Sequence, residues 1–284
     1  LVRSRGLGDV YKRQHLNNNL RKEFMVKYLP HILLAISLVL TAGSCTHTNM
    51  DGKMPITTGS DQAMEYYKTA ITALEQIRYA DAIDNFTRAI EEDPDFFMAY
   101  YWLYPLSGKN SKKIAESAFQ IDAELSDAEE NLRTAFKYLA DGQKEKAVEQ
   151  VEKIIELYPG DVETYKILYL LQFQFFKDMD KARRTVEKAL KVNPDHAISY
   201  NMLGYALMEL GDFENAEKAF EKYIKLEPDI ANPYDSKGDF LMQTNKYREA
   251  YESYMKAYEI DTSFTMSLKK AMKAKKLSEE HESV

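Results

Sequence analysis

One spacing limits what this chain can become. An alanine stands four residues before an apolar partner at Ala82/Phe86, Ala147/Val151, Ala182/Val186, Ala216/Phe220 and Ala250/Tyr254, and the alanines are 65, 35, 34 and 34 residues apart. A proline follows the first four alanines twelve residues later, at Pro94, Pro159, Pro194 and Pro228. The gap of 65 is two periods less three residues, so a degenerate copy lies between. A fixed period of this length marks an array of supersecondary units, none of which can bury its apolar face alone.

The best-formed period, 197–229, shows how one unit is built. Tyr200, Leu203, Gly204 and Leu207 fall at i, i+3, i+4 and i+7, the apolar stripe of a helix. Gly211-Asp212-Phe213 breaks that helix. A second helix follows, in which Ala216 lets the two helices meet while Phe220 and Tyr223 fill the gap to the next unit. Pro228 ends it, because proline cannot continue a helix and restricts the residue before it. Gly204 reads as the point where the second helix crosses most closely.

These features resemble the tetratricopeptide repeat, a 34-residue pair of antiparallel helices, and the resemblance covers roughly residues 62–277. It implies an all-α fold: a right-handed α-solenoid of stacked antiparallel helix pairs, ending in a C-terminal cap helix. About six units are expected over 61–264. The unit at 97–127 is degenerate, because Pro105 and the polar residues after it cut its first helix short. The unit at 162–195 carries one extra residue near 176–180. Residues 265–284 read as a cap helix and tail, with five lysines between Thr265 and Leu277. The resemblance also accounts for 20 tyrosines and 13 phenylalanines beside one tryptophan, with Tyr66, Tyr100, Tyr165, Tyr200, Tyr234, Tyr247 and Tyr254 expected to pack between helices.

The segment before the repeats has another character. Asp9–Gln14, Asp-Val-Tyr-Lys-Arg-Gln, resembles an in-frame translation of a sequencing-library adapter, so residues 1–24 are set aside. From Met25, a lysine precedes the apolar run Ile32–Leu40, too short to span a bilayer comfortably but suited to a secretory signal over 25–44. Leu40-Thr-Ala-Gly-Ser-Cys45 resembles a bacterial lipoprotein box with Cys45 as the lipidated residue, although Ala42 stands where a larger aliphatic residue is usual. Ordinary signal cleavage, leaving Cys45 a free thiol, is the alternative. Residues 45–60, rich in Thr, Gly and Ser, read as a flexible tether. Together with the repeats, the resemblance implies an exported, membrane-anchored lipoprotein of the bacterial envelope, in the outer membrane facing the periplasm.

Several functions are excluded by what the chain contains. The formal net charge of −7 offers no basic stripe for a phosphate backbone, so no nucleic-acid partner is expected. A single cysteine rules out disulfide frameworks, and five scattered histidines leave little for a metal cage. No phosphate loop or hydrolase motif occurs, and the acid pairs Glu91-Glu92 and Glu129-Glu130 read as solvated helix faces. Neither an enzyme nor a cofactor is expected.

In solenoids of this family the first helices line a concave groove. By that resemblance the partner-binding positions are Tyr67, Ile71, Tyr101, Leu132, Phe136, Leu139, Lys166, Leu170, Phe173, Asn201, Tyr205, Met208, Asp235 and Asp239. Such a groove is apolar through its middle and acidic toward its C-terminal end, suited to an apolar peptide or helix of another envelope protein with basic residues near Asp235 and Asp239. The same residues serve as well for packing on neighbouring helices, or beneath a segment of the same chain. A homo-oligomeric envelope module without a groove ligand is the alternative function.

Overall fold

The computed structural model describes residues 52–282, and the adapter-like segment, the apolar run, Cys45 and the start of the expected tether lie outside them. The described residues form helices paired in sequence order: α1 (Asp61–Glu75) with α2 (Tyr79–Glu92), α3 (Phe97–Leu103) with α4 (Ser111–Gln120), α5 (Asp127–Ala140) with α6 (Lys144–Leu157), α7 (Val162–Leu170) with α8 (Met179–Val192), α9 (Ala197–Glu209) with α10 (Phe213–Leu226), and α11 (Ala231–Gln243) with α12 (Tyr247–Ile260). A single helix, α13 (Thr265–Glu282), lies on α12 and runs past Leu277. There is no β-strand among the described residues. The fold is an all-α solenoid of stacked pairs with a terminal cap.

In four of the six pairs the turn is set by the same backbone geometry. In α9 the N–H of Gly211 donates to Met208 O and that of Asp212 to Leu207 O, the paired bonds that close a helix C-terminus. The same two bonds recur at Ile77/Arg78, Gly142/Gln143 and Asn245/Lys246. The turn residue has a positive φ each time: +78° at Gly211, +73° at Gly142, +59° at Asn245 and +62° at Ile77. Glycine adopts this conformation freely, whereas β-branched Ile77 is strained in it.

Where the two helices of a pair cross, the small-residue positions are obligatory. A Cβ on Gly204 would lie 2.7 Å from the Phe220 ring, and one on Gly238 would lie 2.5 Å from Tyr254. Ala82, Ala147, Ala182, Ala216 and Ala250, on the second helices of their pairs, are fully buried. The tyrosines do more than pack. Tyr165, Tyr200 and Tyr234 each donate a hydroxyl hydrogen to the carbonyl of the proline six residues earlier, at 3.2, 2.9 and 3.0 Å. Each such bond ties the start of a first helix to the turn that follows the preceding unit.

Both irregular units have a visible cause. The extra residue at 162–195 is absorbed as a π-helical turn, Leu171–Phe176, directly after α7, which is what one inserted residue does to a 3.6-residue spiral. Thr185 pins it by donating to Gln172 Oε1 at 2.7 Å. In the degenerate unit α3 stops at Leu103, and Tyr104–Leu106 and Gly108–Asn110 continue as 3₁₀ turns around Pro105.

Residues 52–60, the end of the stretch whose composition suggests a tether, are held along the starts of the first helices. Gly160 N donates to Gly52 O at 3.1 Å, Met54 is buried, and Ser126 Oγ donates to Pro55 O. Thr57 donates from both its backbone N and its Oγ1 to Glu129, and Thr58 Oγ1 and Gly59 N donate to Asp93. Glu129 is therefore fully buried, not solvated as its pairing with Glu130 suggests. Ser126 N and Ser126 Oγ also donate to it, so donors surround the carboxylate that composition places in water.

Candidate functional site

The first helices line the inside of the curve, and one contact shows it. Lys166 Nζ on α7 donates to Glu75 Oε1 on α1 at 2.9 Å, across three units of the stack. First helices so far apart in sequence meet only if the array curls with them innermost. Lys166 also pairs with Glu163 and lies 5.2 Å from the centre of the Trp102 ring. It is 7% exposed. This lysine is a clasp between the two ends of the N-terminal half, not a free groove cation.

The clasp has a defined electrostatic state. Burial alone would raise Glu163, but the Lys166 ammonium and the neighbouring His196 ring outweigh it and hold the carboxyl at about 2. Burial alone would lower Lys166, yet Glu163 and Glu75 together raise it. His196 Nε2 lies 3.7 Å from Glu163 Oε1, and its Nδ1 is 2.8 Å from Ser199 Oγ. Ligand atoms of Glu75, Glu163 and His196 come within 4.8 Å of one another, a spacing that suits a metal ion. The Lys166 ammonium already sits between the two carboxylates and supplies the positive charge a metal would bring. Beside the clasp, Thr72, Glu75, Asp195, His196, Tyr223 and Glu227 line a cavity of about 250 Å³.

The N-terminal half of the expected groove is thus largely packed. Tyr67 is buried against Phe86 and Phe96, with ring centres at 5.9 and 5.1 Å, and Leu132 is fully buried. Phe136 is the hub of an aromatic cluster with Tyr101 (5.8 Å), Tyr104 (4.6 Å) and Phe119 (5.0 Å). Ile71 and Leu139 are half-buried on the same core. Burial raises the hydroxyls of Tyr67 and Tyr101 above the ordinary tyrosine range.

The C-terminal half is more open. Leu170, Phe173, Asn201 and Tyr205 are half-buried, while Met208 is buried. Phe173 stacks on Tyr169 at 5.2 Å, and Tyr205 stands edge-on to Phe220 at 5.3 Å. Asn201 Oδ1 is buried without a hydrogen-bond partner.

Asp235 and Asp239 do not present free charge. Lys270 from α13 lies 2.8 Å from a carboxylate oxygen of each. Ser267 Oγ donates to Asp235, and Tyr205 and Tyr254 both donate to Asp239. Burial would lower Lys270, but the two aspartates raise it. The acidic end expected to receive a basic partner is paired with a lysine of the chain's own cap, which offsets one of its two negative charges. Lys269 and Lys273, which enter no ion pair among the described residues, lie on that same cap helix.

The sequence pattern did not single out Glu75, Trp102, Glu163 or Lys270 as parts of this face. Only Lys270 had a local signal, a lysine-rich helix next to an acidic one. Glu75 and Lys166 are 91 residues apart, and no periodicity links them.

Comparison with known proteins adds the family. Residues 67–103 and 177–235 match one tetratricopeptide-repeat family model, and residues 231–264 match a second. No curated protein matches the chain. Among solved structures, the chain is similar to MamA, at 24% identity over 56% of this chain and 95% of that one, with a TM-score of 0.44. A thermophilic tetratricopeptide-repeat protein of Thermus thermophilus is 18% identical over 75% of this chain and 98% of its own, with a TM-score of 0.47. The Cut9–Hcn1 hetero-tetramer of the APC/C matches at 19% identity over 75% of this chain and 42% of that one, with a TM-score of 0.48. With family models on 67–103 and 177–264, and the same closing bonds at the turns at Ile77, Gly211 and Asn245 inside them, these stretches of the chain are tetratricopeptide repeats.

Proposed function

We propose that the chain is a binding scaffold that receives a segment of a partner protein on the inner face of its C-terminal half. The observation that supports this is the contrast along that face. Tyr67, Leu132, Phe136 and Lys166 are consumed in the core and the clasp, with Ile71, Tyr101 and Leu139 half-buried beside them, whereas of the C-terminal positions Leu170, Phe173, Tyr205 and Met242 stay half-buried and Met208 is buried. Adaptable aromatic and thioether side chains of this kind supply contact area at binding sites. Binding, rather than turnover, suits a site whose ionisable groups are already paired with one another.

The finer reading is a lipid anchor on Cys45 in the bacterial envelope, and it rests on the apolar run and the lipobox-like sequence. Because residues 52–60 are bonded to the solenoid, only residues 46–51 separate that cysteine from it, a reach of about 20 Å when extended. Acyl labelling in cells is expected to disappear in Cys45→Ala, and label that persists removes the anchor from the proposal. No helix among the described residues is long and apolar enough to cross a membrane.

The inner-face reading is tested by site-specific photo-crosslinking. A crosslinker at Phe173 is expected to give a partner adduct in cells, and one at Phe213, 40% exposed at the start of α10, is expected to give none. Adducts only from position 213 would move binding off the inner face.

A further inference from the structure

The cap helix is half a repeat, and its open side has a chemistry of its own. Each of α9 and α11 lies between the second helix of the preceding pair and that of its own. α13 has the first contact, through Ala271 and Ala274 buried against α12, and no described helix supplies the second. Shifted by the 34-residue period, Gly204 and Gly238 correspond to Met272, and Leu207 and Leu241 to Lys275. The inner-face positions Asn201/Asp235 and Tyr205/Asp239 correspond to Lys269 and Lys273.

That surface is exposed. Met266 and Met272 keep 60% and 48% of their surface, and Lys269 and Lys273 are exposed and enter no ion pair among the described residues. Thr265–Leu277 holds five lysines and no acid in a chain whose net charge is −7. Lys270 is the exception that shows the logic, since it turns inward and pairs with both Asp235 and Asp239. What remains at this end of the inner face is cationic with thioether contacts between the charges.

We propose that the face of α13 formed by Met266, Lys269, Met272 and Lys273 docks an acidic amphipathic segment of a partner protein. This rests on the scaffold reading above and gives the partner's charge the sign opposite to that suggested by Asp235 and Asp239 alone. Carboxylates spaced three or four residues apart on a partner helix meet Lys269 and Lys273, which are themselves four apart on one helix side. The methionines accept apolar side chains between them. A bilayer fits less well, because membrane-surface helices present large apolar residues such as Trp, Phe and Leu, and the acidic body is repelled by anionic lipid.

The test uses the chain from residue 46 onward, which keeps every described residue and omits the proposed anchor cysteine, and two labelled amphipathic peptides of about twenty residues. They carry the same Leu positions, with Glu on the polar face of one and Lys on that of the other. By fluorescence anisotropy the Glu peptide is expected to bind more tightly, with affinity falling as salt rises. Lys269→Glu/Lys273→Glu is expected to weaken the Glu peptide at least about tenfold and to strengthen the Lys peptide. These are surface changes, and circular dichroism checks that the variant stays folded.

Phe173→Ala separates this proposal from the broader one. Binding of the Glu peptide lost in the double lysine variant but kept in Phe173→Ala supports the cap site. Binding indifferent to the lysines but lost in Phe173→Ala overturns the cap site and leaves the inner-face scaffold standing. Preference for the Lys peptide, no binding of either peptide, or lysine-dependent binding to phosphatidylglycerol vesicles without peptide binding each overturns it.

Discussion

Replacing Lys166 with methionine removes the clasp's charge while keeping most of its volume, which makes the electrostatic part of the contact measurable. Removing one member of a buried ion pair typically costs about 3–5 kcal/mol, because the remaining charge stays desolvated. The side chains of Glu75 and Glu163 keep 32% and 37% of their surface, so water screens much of that penalty and about 2 kcal/mol is expected. The cation–π contact with Trp102 is also lost, but methionine packs well against an aromatic ring, so the net loss there is small. The assay is urea unfolding followed by helical circular dichroism, repeated across acid pH. In the parent, Glu163 is held at about 2, below its ordinary 4.5. Its contribution is therefore complete above about pH 4.5 and is lost as pH falls toward 2. In Lys166→Met only His196 still opposes burial and the carboxyl rises, so protonation relieves the variant first. The gap between parent and variant should shrink as pH drops from about 5 to about 3. A second variant, Glu163→Gln, should recover part of the loss when combined with Lys166→Met. A pH-independent gap, or one below about 0.5 kcal/mol at pH 7, would refute the view that this lysine holds α1 to α7 by charge.

Four further predictions follow from the geometry. Gly238→Ala should destabilise by about 1–3 kcal/mol, because the new Cβ meets the Tyr254 ring at 2.5 Å; a gain of about 1 kcal/mol, normal for this change inside a helix, would contradict that contact. Ile77→Asn should stabilise by about 1 kcal/mol in thermal unfolding, since asparagine tolerates the positive φ that strains isoleucine. Deleting Phe175, exposed within the π-helical turn, should return the unit to 34 residues with helicity retained, and a loss of cooperative unfolding would show that the turn is required. Asp93 shows the same linkage on residues 52–60. Burial would raise it, but Thr58, Gly59 and Asp95 donate to it and lower it, so hydrogen-exchange protection at Gly59 should be full above the ordinary carboxylate range and fall as pH drops below it.

The repeat was legible because its determinants are local. A glycine or alanine at a helix crossing, a proline past a helix end and a turn residue able to take positive φ each act within one unit. Even the extra residue near 176–180 was visible as an offset in the alanine spacing, and its resolution as a π turn follows from helix geometry. Ile77 shows where local reading runs out. It occupies the same left-handed turn as Gly211 although its side chain argues against it, and it is held there because the helices on either side fix the turn.

The inner face was legible in position but not in chemistry, and the reason is charge pairing at a distance. Asp235 and Asp239 read as a free acidic end until Lys270 is placed on them from the cap helix, and Lys166 reads as a groove cation until Glu75 arrives from 91 residues away. Residues 52–60 make the same point, since a Thr- and Gly-rich stretch looks like a loose tether unless the buried acceptor Glu129 is known to face it. A solenoid brings each unit's neighbours together by translation, so apolar contacts can be read from the period. Its curvature then brings non-neighbours together, and those contacts follow no period. The charges that survive such pairing are the ones left for a partner, and on the inner face they shift from the aspartates of α11 to the lysines of α13. That change of sign, rather than the list of groove positions, separates a partner with a basic tail from one with an acidic helix.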